Sequence, residues 1–255
     1  GRASFNFNPL SGFSTQEKGK QLRFLLDEIN KFSEDNSVAG LIIDLGKVRS
    51  GFAKKEGIYN ALTSFKETGK KIIVYAKNGI SNTDYYLISM ADEIYINELT
   101  GVDLRGLTME VTFFRELLDT LNIVPEVFRV NINGDSYKTY ADPFLERTAT
   151  DQMKENYGEL LDDLYRVYIN GISKGKSWTE DKTKEIVNSG PYYIGPEIIE
   201  KELITGIMYP DQFDEHIKEL TSTDKNESNI NYTTVKWEDI DRSDEYIVEW
   251  LPKKK

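Results

Sequence analysis

The apolar positions of the chain follow two alternating spacings. Leu22, Leu25, Leu26, Ile29 and Phe32 recur three and four residues apart, which predicts a helix from about Gln16 with one apolar face. After a polar turn at residues 33–37 comes an almost unbroken apolar run, residues 38–45. That is the pattern of a strand buried on both faces of a parallel sheet. Ile58, Leu62 and Phe65 predict a second helix that ends near Gly69, and Lys71-Ile72-Ile73-Val74-Tyr75-Ala76 a second strand. A loop then leads into Tyr85-Tyr86-Leu87-Ile88-Ser89-Met90, which is helical, and Glu93-Ile94-Tyr95-Ile96-Asn97 is a third strand. Alternation of helix and strand with short links predicts an α/β domain with right-handed crossovers.

Further along, residues 100–107 are a glycine-punctuated candidate strand. Phe113, Phe114, Leu117, Leu118 and Leu121 form a helix face, and residues 124–130 return to strand with Pro125 near the start. Thr148-Ala149-Thr150-Asp151 reads as a capping box for a long helix. That helix carries Met153, Tyr157, Leu160, Leu161, Leu164, Tyr165, Tyr168 and Ile172, and runs to about Ser173. Its stripe is wide enough to meet two surfaces. Thr179 caps another helix. Ile198, Ile199 and Leu203 mark one that Gly206 ends, and residues 210–220 one more. Residues 221–231 are polar, and 233–249 mix short apolar pieces with negative charge. The predicted organisation is an arm (1–15), an α/β domain (16–220) and a polar linker with tail (221–255).

Composition narrows the chemistry. The chain has 255 residues, 39% hydrophobic and 29% charged, enough for a large core. A formal charge of -11 disfavours non-specific nucleic-acid binding. There is no cysteine, and His216 is the single histidine. Zinc sites built on cysteine, thiol chemistry and a Ser-His-Asp triad within this chain are thereby set aside. No run approaches 18 apolar residues, and no secretory leader opens the chain. Both ends, Gly1-Arg2-Ala3-Ser4 and Trp250-Leu251-Pro252-Lys253-Lys254-Lys255, read as those of a piece excised from a longer protein.

Two stretches hold candidate chemistry. Lys138 stands in Tyr137-Lys138-Thr139-Tyr140-Ala141-Asp142-Pro143-Phe144. On local sequence it is either an ordinary solvated charge or a general base whose pKa burial has lowered. Ser81 opens the third helix, where Ser81, Asn82 or Thr83 could cap it. A helix start also suits a nucleophile, but caps are far commoner, so the capping reading of Ser81 leads. The loop at 46–52 has two glycines and fits no nucleotide-binding motif.

Several motifs, in order and spacing, resemble a known family. They are Leu41-Ile42-Ile43-Asp44-Leu45, then Ser81-Asn82-Thr83-Asp84-Tyr85-Tyr86-Leu87-Ile88-Ser89-Met90-Ala91-Asp92-Glu93-Ile94-Tyr95-Ile96, Val102-Asp103-Leu104-Arg105-Gly106, Phe128-Arg129-Val130 and the run from Tyr137 to Phe144. Over residues 16–210 the chain resembles signal peptide peptidase A, or protease IV, in particular the N-terminal half of its long, duplicated form. The resemblance implies a crotonase-like fold related to ClpP. It implies a Ser-Lys dyad without a cofactor, acting on extended apolar peptides such as cleaved signal peptides. It further implies a homo-oligomer tethered to the bacterial cell membrane by a segment outside this chain, with the soluble part on the periplasmic or extracytoplasmic side.

Residue by residue, the family's lysine falls on Lys138, with Thr139 and Tyr140 replacing a Ser-Ala pair. The family's S-G-G-Y run falls on Asn82-Thr83-Asp84-Tyr85, so Asn82 stands where the nucleophilic serine would be. Ser81 is one residue off. Of the oxyanion glycines, matched at about Arg49-Ser50-Gly51, Gly51 remains. The long form implies a lysine donor here and a C-terminal half that brings the serine and oxyanion hole. This agrees with the chemistry, since a serine without histidine needs another base, and a lysine must be desolvated to serve. Tyr137, Tyr140 and Phe144 are expected to bury Lys138 partly beside a groove, with Asp135 and Asp142 turned away. The chain alone is then expected to be inactive. Three readings compete with this: a non-catalytic crotonase-like module for assembly or substrate binding, acyl-CoA chemistry by fold analogy alone, and a dyad of Ser81 with Lys138.

Overall fold

Four strands carry the sheet: β1 (Gly40–Asp44), β2 (Lys71–Ala76), β3 (Glu93–Ile96) and β4 (Gly206–Ile207). In the computed structural model, which describes residues 22–128, 137–221 and 234, they pair in that order and all in parallel. Ile42 faces Ile73 across the first pair, Val74 faces Ile94 across the second and Ile96 faces Ile207 across the third. The chain divides into two compact units, residues 1–207 and 208–255, and the sheet belongs to the first.

β2 is buried from Ile72 to Ala76, as its unbroken β-branched run dictates for a central strand. β1 differs from expectation. Gly40, Ile42 and Asp44 are exposed while Leu41 and Ile43 are half-buried, so the run from 38 to 45 forms an edge strand with one covered face. Its neighbour on one side is β2, and among the described residues the sheet order gives it none on the other.

The helices of this unit are α1 (Leu22–Glu34), α2 (Phe52–Glu67), α3 (Asn82–Ile88), α4 (Arg115–Thr120), α5 (Asp142–Leu145), α6 (Asp151–Lys176), α7 (Glu180–Ser189) and α8 (Gly195–Glu200). In the second unit, α9 spans Pro210–Thr221. The core packs Phe65, Ile72, Val74, Ile94, Ile96, Leu104, Ile172 and Ile198 around the sheet. Tyrosines knit α2, α3 and α6. The Tyr86 ring lies 4.9 Å from Tyr59 and 6.2 Å from Tyr168, and the Tyr59 hydroxyl donates to the Gly171 carbonyl at 2.8 Å.

Thr150 and Thr179 cap α6 and α7 by accepting from the Met153 and Lys182 N–H groups. At α6 this is a simple cap in place of the expected reciprocal box. α6 runs past Ser173 to Lys176 and ends on Ser177 in the left-handed region, φ 55°. α8 stops at Glu200, before Leu203, with Glu202 at φ 60° turning the chain. Gly206 is therefore not its end, but the first residue of β4.

Two further expectations are corrected. Residues 100–107 form no strand, and Val102 alone bridges, to Ile80 and Tyr192. Gly79, at φ 80°, permits this approach, because a Cβ there would lie 2.8 Å from the Gly101 carbonyl oxygen. Residues 122–128 are also irregular, and 129–130 lie outside the described residues. Of the predicted helix around Phe113, α4 keeps only six residues, and none of them is buried. Among the described residues it packs chiefly against the short α5, which leaves most of its apolar stripe exposed.

Candidate functional site

Parallel α/β sheets place their chemistry beyond the carboxyl ends of the strands. Two such connections matter here. Residues 45–51 link β1 to α2, with Gly51 at the helix N-cap, and residues 77–81 link β2 to α3, with Ser81 at the N-cap. Ser81 does not cap with its side chain. Its hydroxyl donates to Asp84 Oδ2 at 2.5 Å, while its carbonyl accepts from the Asp84 and Tyr85 N–H groups.

Asp84 is 3% exposed, and its other oxygen accepts from Lys55 Nζ at 2.6 Å. Lys55, also 3% exposed, donates to the Thr83 hydroxyl at 2.6 Å as well. Burying two charges is tolerable only where they pair and their remaining hydrogen-bonding capacity is met, and both conditions hold here. Lys55 escaped the sequence reading because a helical lysine normally faces solvent. A signal was present: it stands four and seven residues before Tyr59 and Leu62, on the apolar stripe of α2.

Asn82 is equally committed. Its Oδ1 accepts from the Arg105 N–H at 3.0 Å and from the Tyr168 hydroxyl at 2.6 Å, and its Nδ2 donates to the Gly106 carbonyl at 3.3 Å. These bonds tie the start of α3 to the irregular segment and to α6. Burial raises the Tyr168 hydroxyl pKa far above its ordinary value, so it remains a donor to Asn82 at any working pH.

Lys138 sits apart. It precedes a 3-10 turn, Thr139–Ala141, that runs into α5 with Pro143 in its first turn. α6 braces this stretch: Asn156 Nδ2 donates to the Tyr137 carbonyl at 2.9 Å and the Tyr137 hydroxyl donates to Glu155 at 2.7 Å. Asp142 is buried and accepts from the Thr150 hydroxyl at 2.7 Å. Asp135 lies outside the described residues. On the other side the Phe114 N–H donates to the Pro143 carbonyl at 2.7 Å, and the Phe114 and Phe144 rings stack at 5.6 Å.

Among the described residues, the expected burial of Lys138 is not supplied. Lys138 and Tyr137 are exposed, Tyr140 is 91% exposed, and Phe144 is also exposed. The physical reason is that the stretch rests on a face with few covering elements: α4 buries nothing, and Phe128 is 98% exposed. At the α3 start, Ser81 bonds to Asp84, and Asn82 to Arg105, Gly106 and Tyr168. Among the described residues, no group of three or more histidine, aspartate or glutamate side chains could hold a metal ion. Also among them, no helix is long and apolar enough to cross a membrane.

A parallel sheet flanked by helices, with its loops at the carboxyl ends of the strands, defines an α/β protein of the crotonase-like class. The profile of peptidase family S49 matches residues 64–224, more than half of the chain, and the chain belongs to that family. Protease 4 of Haemophilus influenzae is 34% identical over 155 residues, 60% of this chain and 24% of that protein. The chloroplastic serine protease SPPA of Arabidopsis thaliana is 26% identical over 208 residues, 81% of this chain and 30% of that protein. A protein of Enterococcus faecium named putative signal peptide peptidase SppA is 23% identical over 200 residues, 78% of this chain and 56% of that protein. The chain thus spans between about a quarter and just over half the length of these relatives.

Proposed function

We propose that this chain is the lysine-donating half of a Ser-Lys endopeptidase, with Lys138 as general base and the serine supplied by a C-terminal half-domain. One observation carries the reading. The residue at the family's serine position, Asn82, is held by three hydrogen bonds, whereas Lys138 stands on an exposed apolar face that a second half could cover. Covering that face would desolvate the amine, as a lysine base requires, and bring a hydroxyl to it. The substrates are extended apolar peptides, cleaved signal peptides among them. The working form is a homo-oligomer at a bacterial membrane, on the extracytoplasmic side, tethered through a segment outside these residues.

The test mixes this chain with the C-terminal half and assays cleavage of a fluorogenic apolar peptide. Activity is expected only in the mixture, and Lys138→Ala in this chain should lower it by ~10²–10⁴-fold, the range for a lost general base. Full activity of the Lys138→Ala mixture overturns the assignment. A second reading, a non-catalytic module for assembly or substrate binding, is favoured by the same asparagine. It predicts that the C-terminal half is as active alone as in the mixture, or that both are inactive.

A further inference from the structure

A lysine side chain is a flexible four-carbon stem. Its amine meets a reacting hydroxyl in one geometry only if the peptide it leaves from is fixed. The backbone at Lys138, φ -86° and ψ 71°, is that of an inverse γ-turn, which has no helix or strand ladder to hold it.

Support comes from the start of α6. The Asn156 amide donates from Nδ2 to the Tyr137 carbonyl at 2.9 Å, and that carbonyl belongs to the peptide joining Tyr137 to Lys138. From the neighbouring position of the helix, Glu155 accepts from the Tyr137 hydroxyl at 2.7 Å. On the far side of Lys138, the Thr150 hydroxyl donates to Asp142 at 2.7 Å. Thr150, Glu155 and Asn156 thus hold both flanks of the lysine from one element. The mount is itself fixed: Met153, three residues before Asn156, is fully buried, and its N–H donates to the Thr150 hydroxyl at 3.2 Å.

The bond at Asn156 differs in kind from the other two. A peptide group is planar, so a donor that holds the Tyr137 carbonyl oxygen also fixes the direction of the Lys138 N–Cα bond. Glu155 and Thr150 hold the side chains of Tyr137 and Asp142, whose own rotations separate them from the backbone at Lys138.

We propose that Asn156 is a positioning residue for Lys138: its amide pins the Tyr137–Lys138 peptide and so sets the line along which the amine reaches the incoming serine. The proposal rests on the reading of Lys138 as general base, while the pinning belongs to this chain alone. Asn156 acts through the backbone and takes no part in the proton transfer.

The experiment replaces Asn156 by aspartate, which keeps the shape of the side chain and, when ionised, has no hydrogen to donate. In the full chain, ¹⁵N relaxation reads the order parameter of the Lys138 N–H. About 0.85, the value of rigid backbone, is expected in the parent and below about 0.6 in Asn156→Asp, with the amides of α6 unchanged. In the mixture with a C-terminal half, Asn156→Asp should lower kcat roughly 10–100-fold and leave KM unchanged, as a base displaced by about an ångström would. The melting temperature should not move, whereas a merely structural bond would shift it and spare kcat. Equal order parameters at Lys138 in parent and variant overturn the proposal. So does an unchanged kcat of the variant mixture where the Lys138→Ala mixture is inactive. Full activity of the Lys138→Ala mixture sinks the reading of Lys138 itself, a failure told apart from these because the order parameters are read without any activity.

Discussion

The start of α3 and the stretch around Lys138 each present a lysine among hydroxyls and carboxylates, yet they are opposites. At the first, Lys55, Thr83, Asp84 and Ser81 satisfy one another out of water, and Asn82 fastens two neighbouring segments. At the second, the backbone is braced by Asn156 and by Phe114, but Lys138 and the apolar side chains around it face solvent. Polar groups that are fully paired in a buried place build a scaffold, which is the role of Lys55. The proposed role of Lys138 rests on the opposite setting, an exposed amine beside apolar surface.

The largest expected effect tests the scaffold. Lys55→Ala leaves the Asp84 carboxylate buried without its ion partner, and should cost roughly 3–5 kcal/mol in urea unfolding. Lys55→Met combined with Asp84→Leu removes both charges and should recover most of that loss, because an apolar pair of similar volume avoids the desolvation. Lys138→Ala, by the same measurement, should stay within about 0.5 kcal/mol of the parent, as exposed positions do. If Lys55→Ala and Lys138→Ala fall at similar stabilities, the contrast between the two lysines is broken.

Lys176 extends the comparison, since it is neither paired like Lys55 nor fully solvated. Its pKa is about 8 in the folded chain against 10.5 as the ordinary value, a gap equivalent to at most roughly 3 kcal/mol. Between those two values the unfolded chain holds a proton that the folded chain has released, so stability gains with rising pH. Below pH 8 both states are charged, and the full penalty stands. Lys176→Met should therefore be the more stable chain at pH 7, and the parent should close the gap between about pH 8 and 10.5. Taking the difference between the two chains removes the contribution of other groups that titrate in this window. A gap that does not change with pH would mean that Lys176 is solvated.

Asn82 comes next. Asn82→Ala deletes two accepted hydrogen bonds and one donated bond at half-buried atoms, and leaves the Arg105 N–H and the Tyr168 hydroxyl to find other partners. About 2 kcal/mol is expected. On the proposed assignment, Asn82→Ser should give the isolated chain no peptidase activity, because the hydrogen-bond partners of position 82 are Arg105, Gly106 and Tyr168. Cleavage by that variant alone would place a working dyad within one chain.

Much of the α/β order was legible. The strands at 71–76 and 93–96, and the helices that open after Gly51 and Thr150, follow from periodicity and turn chemistry, which are local properties. What sequence misjudged is what neighbours decide. Residues 38–45 have the composition of a central strand, yet among the described residues β1 pairs only with β2, and Gly40, Ile42 and Asp44 are exposed. The stripe at 113–121 has helical spacing, but only Arg115–Thr120 coils, and none of those residues is buried. A motif singles out Lys138; its exposure was not legible, because burial of a loop residue depends on elements far away in the chain. Lys55 was the converse, a charge on an apolar stripe whose partner lies 29 residues on.

The smallest effect in the isolated chain carries the most about the uncovered face. Leu117 and Leu121 are 55% and 57% exposed on α4, while Leu62 on α2 is 4% exposed. Leu62→Ala should cost ~3 kcal/mol, since it empties a packed site. Leu117→Asp with Leu121→Asp removes side chains that are already largely in water, and should shift unfolding by less than about 0.5 kcal/mol. In the mixture with a C-terminal half, the same pair should weaken association at least tenfold, because two carboxylates would have to leave water to enter an apolar contact. Sedimentation of parent and variant mixtures reads this directly. Unchanged association would mean that the cover for Lys138 approaches from another side of the stretch, leaving α4 at its rim.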